Sequence, residues 1–272
     1  VTSERKPCVR QQTEAACAET QNGLADPANP HWTPSIDQAL ANRLLAKLQQ
    51  AERSLLLDHA ELVELDGAQV LVRAGQGLGH AYFPTSCMIS LLTTQPAARS
   101  FEVGQIGFEG VLGASSALGV TASAFDAVVT GAGQAWRIPL AVLRRQCLHS
   151  RFLSVLMVRY LYIQLEQMGA LAACGQFHAL EQRLARLLLM CQDRMRVPDL
   201  EVTHEGLARV MGVRRASVTM LAGAFQRRHL IRHSRGHMVI VDRPGLQATS
   251  CPCHAQDLAF YEQVMSEKWP PA

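Results

Sequence analysis

Arginine is the side chain best fitted to grip a phosphate or the edge of a guanine, because its planar guanidinium offers a fork of donors that meets two acceptors at once. In this 272-residue sequence the arginines gather in one region. Between Gln182 and Arg243 there are 12, against five acidic residues: Asp193, Asp199, Glu201, Glu205 and Asp242. The whole chain has a formal charge of only +3, so it is this distribution that points to a polyanion-binding module in the carboxyl-terminal third. Arg214 and Arg215 are adjacent, and Ser217 and Thr219 follow them with hydroxyls that can meet bases or phosphates. Arg227 and Arg228 lie further along and suit backbone phosphates. Arg235 sits in Ser234-Arg235-Gly236, a tight turn flanked by His233 and His237.

The residues that must position these arginines form a pattern of their own, HEGLARVMGVRRASVTMLAG, starting at His204. Two helices crossing closely need a small residue at the crossing, and Ala208 supplies it. A sharp turn between them favours positive φ, and Gly212 stands there. Their shared core needs apolar side chains at fixed spacings, filled by Leu207, Met211, Val213, Val218 and Leu221. Thr203 is placed to cap the first helix. An ordinary αα-hairpin is the competing reading, but filling all seven constrained positions favours a helix-turn-helix. Its second helix, from near Arg214, is expected to enter the major groove of duplex DNA. The segment LIRHSRGHMVIVD then reads as a two-stranded wing, Ile231–His233 and His237–Val241, with Arg235 at its tip. The candidate DNA-binding residues are therefore Thr203, Arg214, Arg215, Ser217, Thr219, Arg227 and Arg235.

Upstream, residues 1–34 lack hydrophobic periodicity and contain Pro27, Pro30 and Pro34, so a mobile arm is expected. A short helix is expected from Ser35, with Leu40, Leu44, Leu45 and Leu48 on one face. Between about 60 and 138, short apolar runs alternate with turn signals such as Asp66-Gly67 and Gly75-Gln76-Gly77. That spacing suggests an antiparallel sandwich or barrel. From Pro139 the pattern becomes helical, with Phe152, Leu156, Ile163 and Met168 on or near a stripe and Val155 and Tyr160 beside it. Such a helix is more apolar than one sheet face can cover, so packing against a second copy is expected. Cys174-Gly175 reads as a hinge, followed by a helix ending before Val197-Pro198.

No stretch is apolar enough to span a membrane, and the first twenty residues lack the apolar core of a secretion signal, so a cytoplasmic location is expected. Eight scattered cysteines then read mainly as reduced structural thiols. Cys251, Cys253 and His254 cluster in ATSCPCHA, but structural zinc wants four ligands and no second pair stands nearby in sequence. No metal and no cofactor is therefore assigned. Metal or redox sensing through Cys251 and Cys253 stays as an alternative. An enzyme is not expected: the chain has no Gly-rich phosphate loop, HExxH or GxSxG, and a metal-dependent jelly roll would need more than His80 and His59.

The order of arm, β-rich region, long helix and winged helix resembles the cyclic-AMP receptor protein/fumarate–nitrate regulator (Crp/Fnr) family. The likeness is most specific over VTHEGLARVMGVRRASVTMLAGAFQRRHLIRHSRGHMVIVDRPGL, and HAYFPTSCMISLL and EVGQIGFEGVLGASSALG support it. The resemblance implies an α+β fold with an N-terminal β jelly-roll domain, a long dimerisation helix and a C-terminal winged helix-turn-helix. The expected divisions are a 1–34 arm, a 35–145 jelly roll, a 146–174 dimerisation helix, a 175–248 winged helix and a 249–272 tail. The implied partners are double-stranded DNA and a second copy of the chain. RNA polymerase and a small-molecule effector stay open as further partners.

Several residues depart from the family pattern. Aligning Gly113 with the glycine of its cyclic-nucleotide cassette puts Ala114 at the ribose-binding glutamate, and Ala124 and Phe125 at the phosphate-binding Arg-Ser pair. No arginine lies between Arg99 and Arg137, so tight cyclic-nucleotide binding is not expected, though a sensor of another small ligand stays open. The iron–sulfur branch would need more than Cys8, Cys17 and Cys87. Haem would need a histidine such as His80, His149 or His178, and no motif marks any of them. The family's Arg-Glu-…-Arg reading triplet is here Arg215, Ala216 and Met220, which predicts a different operator.

Overall fold

The computed structural model describes residues 39–95, 99–197 and 199–267. The arm expected over 1–34 lies outside them.

The β-rich region forms two antiparallel sheets. Strands β1 (Glu61–Leu65), β3 (His80–Pro84) and β7 (Gly133–Pro139) pair in the order β1-β7-β3. Strands β2 (Val70–Val72), β4 (Met88–Gln95), β5 (Arg99–Ile106) and β6 (Asp126–Gly131) pair in the order β2-β6-β4-β5. Phe83 lies opposite Trp136, and Ile89 opposite both Ile106 and Val129. All five are buried. Strand β6 alternates half-buried and buried residues, the mark of a strand with one face on a core. Burying side chains such as Phe83 and Ile89 contributes about 1.5–3 kcal/mol each. The expected barrel-like domain is present.

Two short helices precede it, α1 (Arg43–Lys47) and α2 (Gln50–Leu57). Asn42 caps α1, accepting from the backbone N–H groups of Leu44 and Leu45, and its Nδ2 donates to the carbonyls of Pro84 and Gly110, each at 2.9 Å. One buried amide thus ties the helix to the barrel. Leu44, Leu45 and Leu48 are buried as expected, whereas Leu40, before the cap, is exposed.

After a short helix α3 (Ala114–Ala117) in the β5–β6 connection, the chain leaves the barrel through α4 (Leu140–His149) and the 27-residue α5 (Arg151–Phe177). The long helix differs from the expected 146–174. Ser150, in an extended conformation, interrupts the path, and its Oγ caps α5 by accepting from the Leu153 N–H at 3.0 Å. Cys174-Gly175 is helical and not a hinge. One glycine costs a helix only about 1 kcal/mol, and the neighbouring alanines Ala170, Ala172 and Ala173 favour continuation. The break comes at His178, with φ −110° and ψ 142°. The expected stripe on α5 is also redistributed. Leu156, Tyr160 and Ile163 face the chain's own interior, while Val158, Tyr162 and Leu165 are exposed.

Beyond the break come α6 (Leu180–Met195), β8 (Asp199–Glu201), α7 (His204–Met211), α8 (Arg215–Arg227), β9 (Ile231–Ser234), β10 (His237–Ile240) and α9 (Arg243–Thr249). Their core is built around Leu184, Leu188, Val218, Phe225, Met238 and Leu246, all fully or almost fully buried. The expected two-stranded wing is present as β9 and β10, and β8 adds a third strand in the order β8-β10-β9. The tail expected at 249–272 contains helix α10 (Cys253–Ser266), packed on α5 and α6.

A buried charge cluster joins α10 to the barrel. Arg194 on α6 pairs with Glu109 at 3.2 Å and with Asp257 on α10 at 3.3 Å. Burial alone would lower the Arg194 pKa, but the two carboxylates outweigh it and raise it. The Tyr261 hydroxyl donates to the Glu109 carbonyl at 2.7 Å. Nearby on β5, burial pushes the Glu102 carboxyl up to about 7, against hydrogen bonds from Ser90 and Gln105.

Candidate nucleic-acid interface

The two helices of the candidate reader are set by local sequence. The Thr203 hydroxyl accepts from the Gly206 N–H at 3.0 Å and caps α7. Gly212 closes that helix at φ +66°, a left-handed conformation that costs an L residue free energy. Just after it, the Val213 N–H reaches the Ala208 carbonyl at 3.0 Å, and the chain turns into α8. Val218, Ala222 and Phe225 form the buried stripe of α8 at the i, i+4, i+7 spacing and pack on Leu207, Ala208 and Met211. Val213 and Leu221 are only partly buried, at the edge of the same core.

That packing decides what faces outward. Arg214, Arg215, Ala216, Thr219, Met220 and Arg227 are exposed, and Ser217 is half-buried. Arg214 is the N-cap residue and makes no side-chain capping bond, so its guanidinium is not used to close the helix. The first turn of α8 contains no acidic residue. Unpaired N–H groups, the positive end of the helix dipole and two arginines therefore converge on one exposed helix start, an arrangement suited to an anionic surface.

Two expected contact residues are partly occupied within the protein. The Thr203 hydroxyl serves the α7 cap. The Thr219 hydroxyl donates to the Arg215 carbonyl at 3.1 Å and lies 3.0 Å from His204 Nδ1. With the hydroxyl proton given to Arg215, His204 Nδ1 is the donor in that second bond. Burial, with the charges of His233 and Arg215, holds the His204 imidazole below its usual pKa, so it is neutral near pH 7. Its ring stacks on His233 of the wing at 4.2 Å. His204 thus joins α7, α8 and the wing, a role its position at the start of the motif did not reveal.

The wing tip is formed by Arg235 and Gly236, both at positive φ, 36° and 89°. This is the two-residue turn that matches strand twist, and it leaves the Arg235 side chain exposed. His237 faces Asp199 of β8 at 3.4 Å rather than solvent alone. Arg228, directly after α8, is engaged elsewhere, with Glu181 at 2.6 Å and Thr249 at 2.8 Å.

In the barrel, Gly113 adopts φ +112° ahead of the four-residue α3. Ala114, aligned with the ribose-binding position, is a buried methyl. Ser123 closes the following loop on itself, donating to the Phe125 carbonyl at 2.7 Å. Arg73, the cation beside this loop's end, pairs with Asp126 at 3.2 Å. In the tail, His254 turns away from the cysteines to Asp193 at 2.7 Å, while Cys251 and Cys253 meet Cys174 and His178. Of the remaining candidate haem histidines, His149 Nδ1 lies 2.7 Å from the Arg145 carbonyl. Among the described residues no helix is long and apolar enough to cross a membrane.

Residues 182–249 match the model of the Crp-like helix-turn-helix domain. No curated protein matches the chain in sequence. Solved structures share the architecture. A transcriptional regulator described as of the Crp/Fnr family from Eubacterium rectale is 17% identical with a TM-score of 0.58, covering 77% of this chain and 98% of its own. FixK2 of Bradyrhizobium japonicum is 10% identical with a TM-score of 0.61, covering 71% and 98%. The c-di-GMP-responsive global regulator CLP of Xanthomonas campestris is 15% identical with a TM-score of 0.57, covering 71% and 99%. At these identities the likeness is one of fold.

Proposed function

We propose that the chain is a Crp/Fnr-type transcription regulator that works as a homodimer gripping a pseudo-palindromic duplex site, a reading supported by the Crp-like helix-turn-helix domain matched at 182–249 and by the shared fold. The observation that carries this reading is the division of α8 into a buried Val218/Ala222/Phe225 face and an exposed arginine-bearing face. Arg214 and Arg215 reach base edges at the start of the helix, Ser217 and Thr219 support them, and Arg227 meets backbone phosphates. Arg235 reaches the neighbouring backbone or minor groove. Ala216 and Met220 present apolar surface beside Arg215, suited to thymine methyl groups. An operator built on a guanine flanked by thymine follows from that face.

The dimer reading is supported by α5. Val158, Tyr162 and Leu165 are exposed apolar side chains at spacings of four and three, and Gly169 and Ala172 extend the same line in small residues. This is the seam of a two-helix coiled coil. Two copies joined there would set their reading helices about 34–36 Å apart, one turn of duplex DNA. The barrel is proposed to work without a tightly held cyclic nucleotide, since Ala114, Ala124 and Phe125 offer no partner for a ribose hydroxyl or a cyclic phosphate. Its output acts on promoters in the cytoplasm.

The test is selection of bound duplexes from a random library, with sedimentation of the free protein. The expected result is two inverted half-sites about 10 bp apart centre to centre and a dimer that Leu165→Asp dissociates. Bound sequences with no shared element would overturn the base-reading assignment. A monomer in the unmodified chain would overturn the seam.

A further inference from the structure

Cys174 and His178 are four residues apart, the first in the last turn of α5 and the second at its C-cap, so both lie on one side of the helix end. Cys251 lies between α9 and α10, and Cys253 is the first residue of α10. Folding brings these distant segments together. Cys174 Sγ is 3.6 Å from Cys251 Sγ, Cys253 Sγ is 3.5 Å from His178 Nδ1, and all four ligand atoms lie within 4.8 Å of one another. The three thiols are unbonded and buried, forming a small core of their own.

We propose that Cys174, His178, Cys251 and Cys253 bind a single zinc ion. Tetrahedral bonds of about 2.3 Å to sulfur and about 2.0–2.1 Å to nitrogen place ligand atoms roughly 3.5–3.8 Å apart, the scale of the two closest contacts. The span of the group suits one ion rather than a cluster whose irons each take a separate ligand. Three sulfurs and an imidazole select zinc over hard cations, which take oxygen. His254, adjacent in sequence, is excluded by its contact with Asp193.

A second observation is independent of the ligands. Arg186 on α6 is buried, and its Nε and Nη2 have no hydrogen-bond partner. It lines the same cleft as Cys174 and Glu102. A zinc ion with three thiolates and a neutral imidazole carries one net negative charge. Arg186 is the cation that would balance it, and such outer partners are a regular part of metal sites. Binding would release the thiol protons and tie the end of α5, the break at His178 and the start of α10 to one point. The joint between the long helix and the winged helix would then be held by a bond set that reaches the carboxyl-terminal helix.

The site does not depend on the DNA reading, and its test uses the metal alone. Full-length protein isolated under reducing conditions is expected to retain about one zinc per chain. Cobalt(II) added to the metal-free protein is expected to give thiolate-to-cobalt charge transfer in the near ultraviolet and the intense visible bands of a tetrahedral ion. Cys174→Ser and Cys253→Ser should each weaken or abolish that spectrum, and Cys147→Ser, on α4, should leave it unchanged. The unmodified protein gives the decisive spectrum even if a serine variant fails to fold. A weak octahedral cobalt spectrum, an iron cluster in the isolated protein, or a Cys174–Cys251 disulfide in place of bound metal would overturn the proposal.

Discussion

On α8 the guanidinium groups of Arg215 and Arg227 point into solvent, and no acidic side chain stands in the first turn to meet them. On α10 the polar groups turn inward: Asp257 onto Arg194, His254 onto Asp193, and Tyr261 onto the Glu109 carbonyl. The two helices have similar lengths, 13 and 14 residues, and both carry several groups able to bind charge. Their difference lies in where compensation comes from. A charge left in water needs no partner in the fold and stays available to a ligand. A buried charge must be paired at once, and the pairing holds the architecture together.

The sharpest way to break this comparison is Arg194→Ala. It would leave Glu109 and Asp257 buried without their cation, and the expected loss of stability is about 3–5 kcal/mol. Chemical denaturation would measure it. A loss below 1 kcal/mol would show that the α10 charges are not holding the fold. Second in size is Arg215→Ala, which touches no core residue. It should leave the denaturation midpoint unchanged, cost about 1–3 kcal/mol of specific binding and relax the preference for guanine at one position per half-site. Binding loss spread evenly over all sequences would move Arg215 from reading bases to holding phosphate.

The same contrast explains what was legible in the sequence. The helix-turn-helix could be read because its constraints are contiguous. Ala208, Gly212 and Val218 fall within eleven residues, and each position is set by its near neighbours. The barrel was legible as a class, from alternation and turn residues, but its pairing was not, since β1 finds β7 some 70 residues away. Helix α10 does not stand out in the sequence because its buried stripe includes His254 and Asp257, which break the apolar periodicity that marks a helix against a core. The partners that make those residues buriable, Asp193 and Arg194, lie on α6. The Cys251–Cys253 pair looked incomplete for the same reason: its complement sits 77 residues upstream, across a chain path that no local spacing encodes. On α5 the apolar residues could be found but not apportioned. Sequence periodicity cannot say that Leu156 and Ile163 serve the chain's own core while Val158 and Leu165 remain outside.

Arg235 and Arg228 supply the finer tests, because both are basic, both belong to the winged helix and only one is engaged. Arg235→Ala should weaken binding to all duplexes alike and reduce the magnitude of the salt slope by about 1, the effect of one lost phosphate contact. Arg228 is held between Glu181 on α6 and Thr249 on α9, so its work is internal. Its ion pair is half exposed, and pairs of that kind contribute about 0–1 kcal/mol. Arg228→Ala is therefore expected to lower stability by no more than that and to leave the salt slope of DNA binding unchanged. Titrating both variants against one duplex over a range of salt reads the two slopes side by side. If Arg228→Ala flattens the slope as much as Arg235→Ala does, the pair to Glu181 must open on DNA, and an arginine engaged in the free protein would then be part of the reading surface.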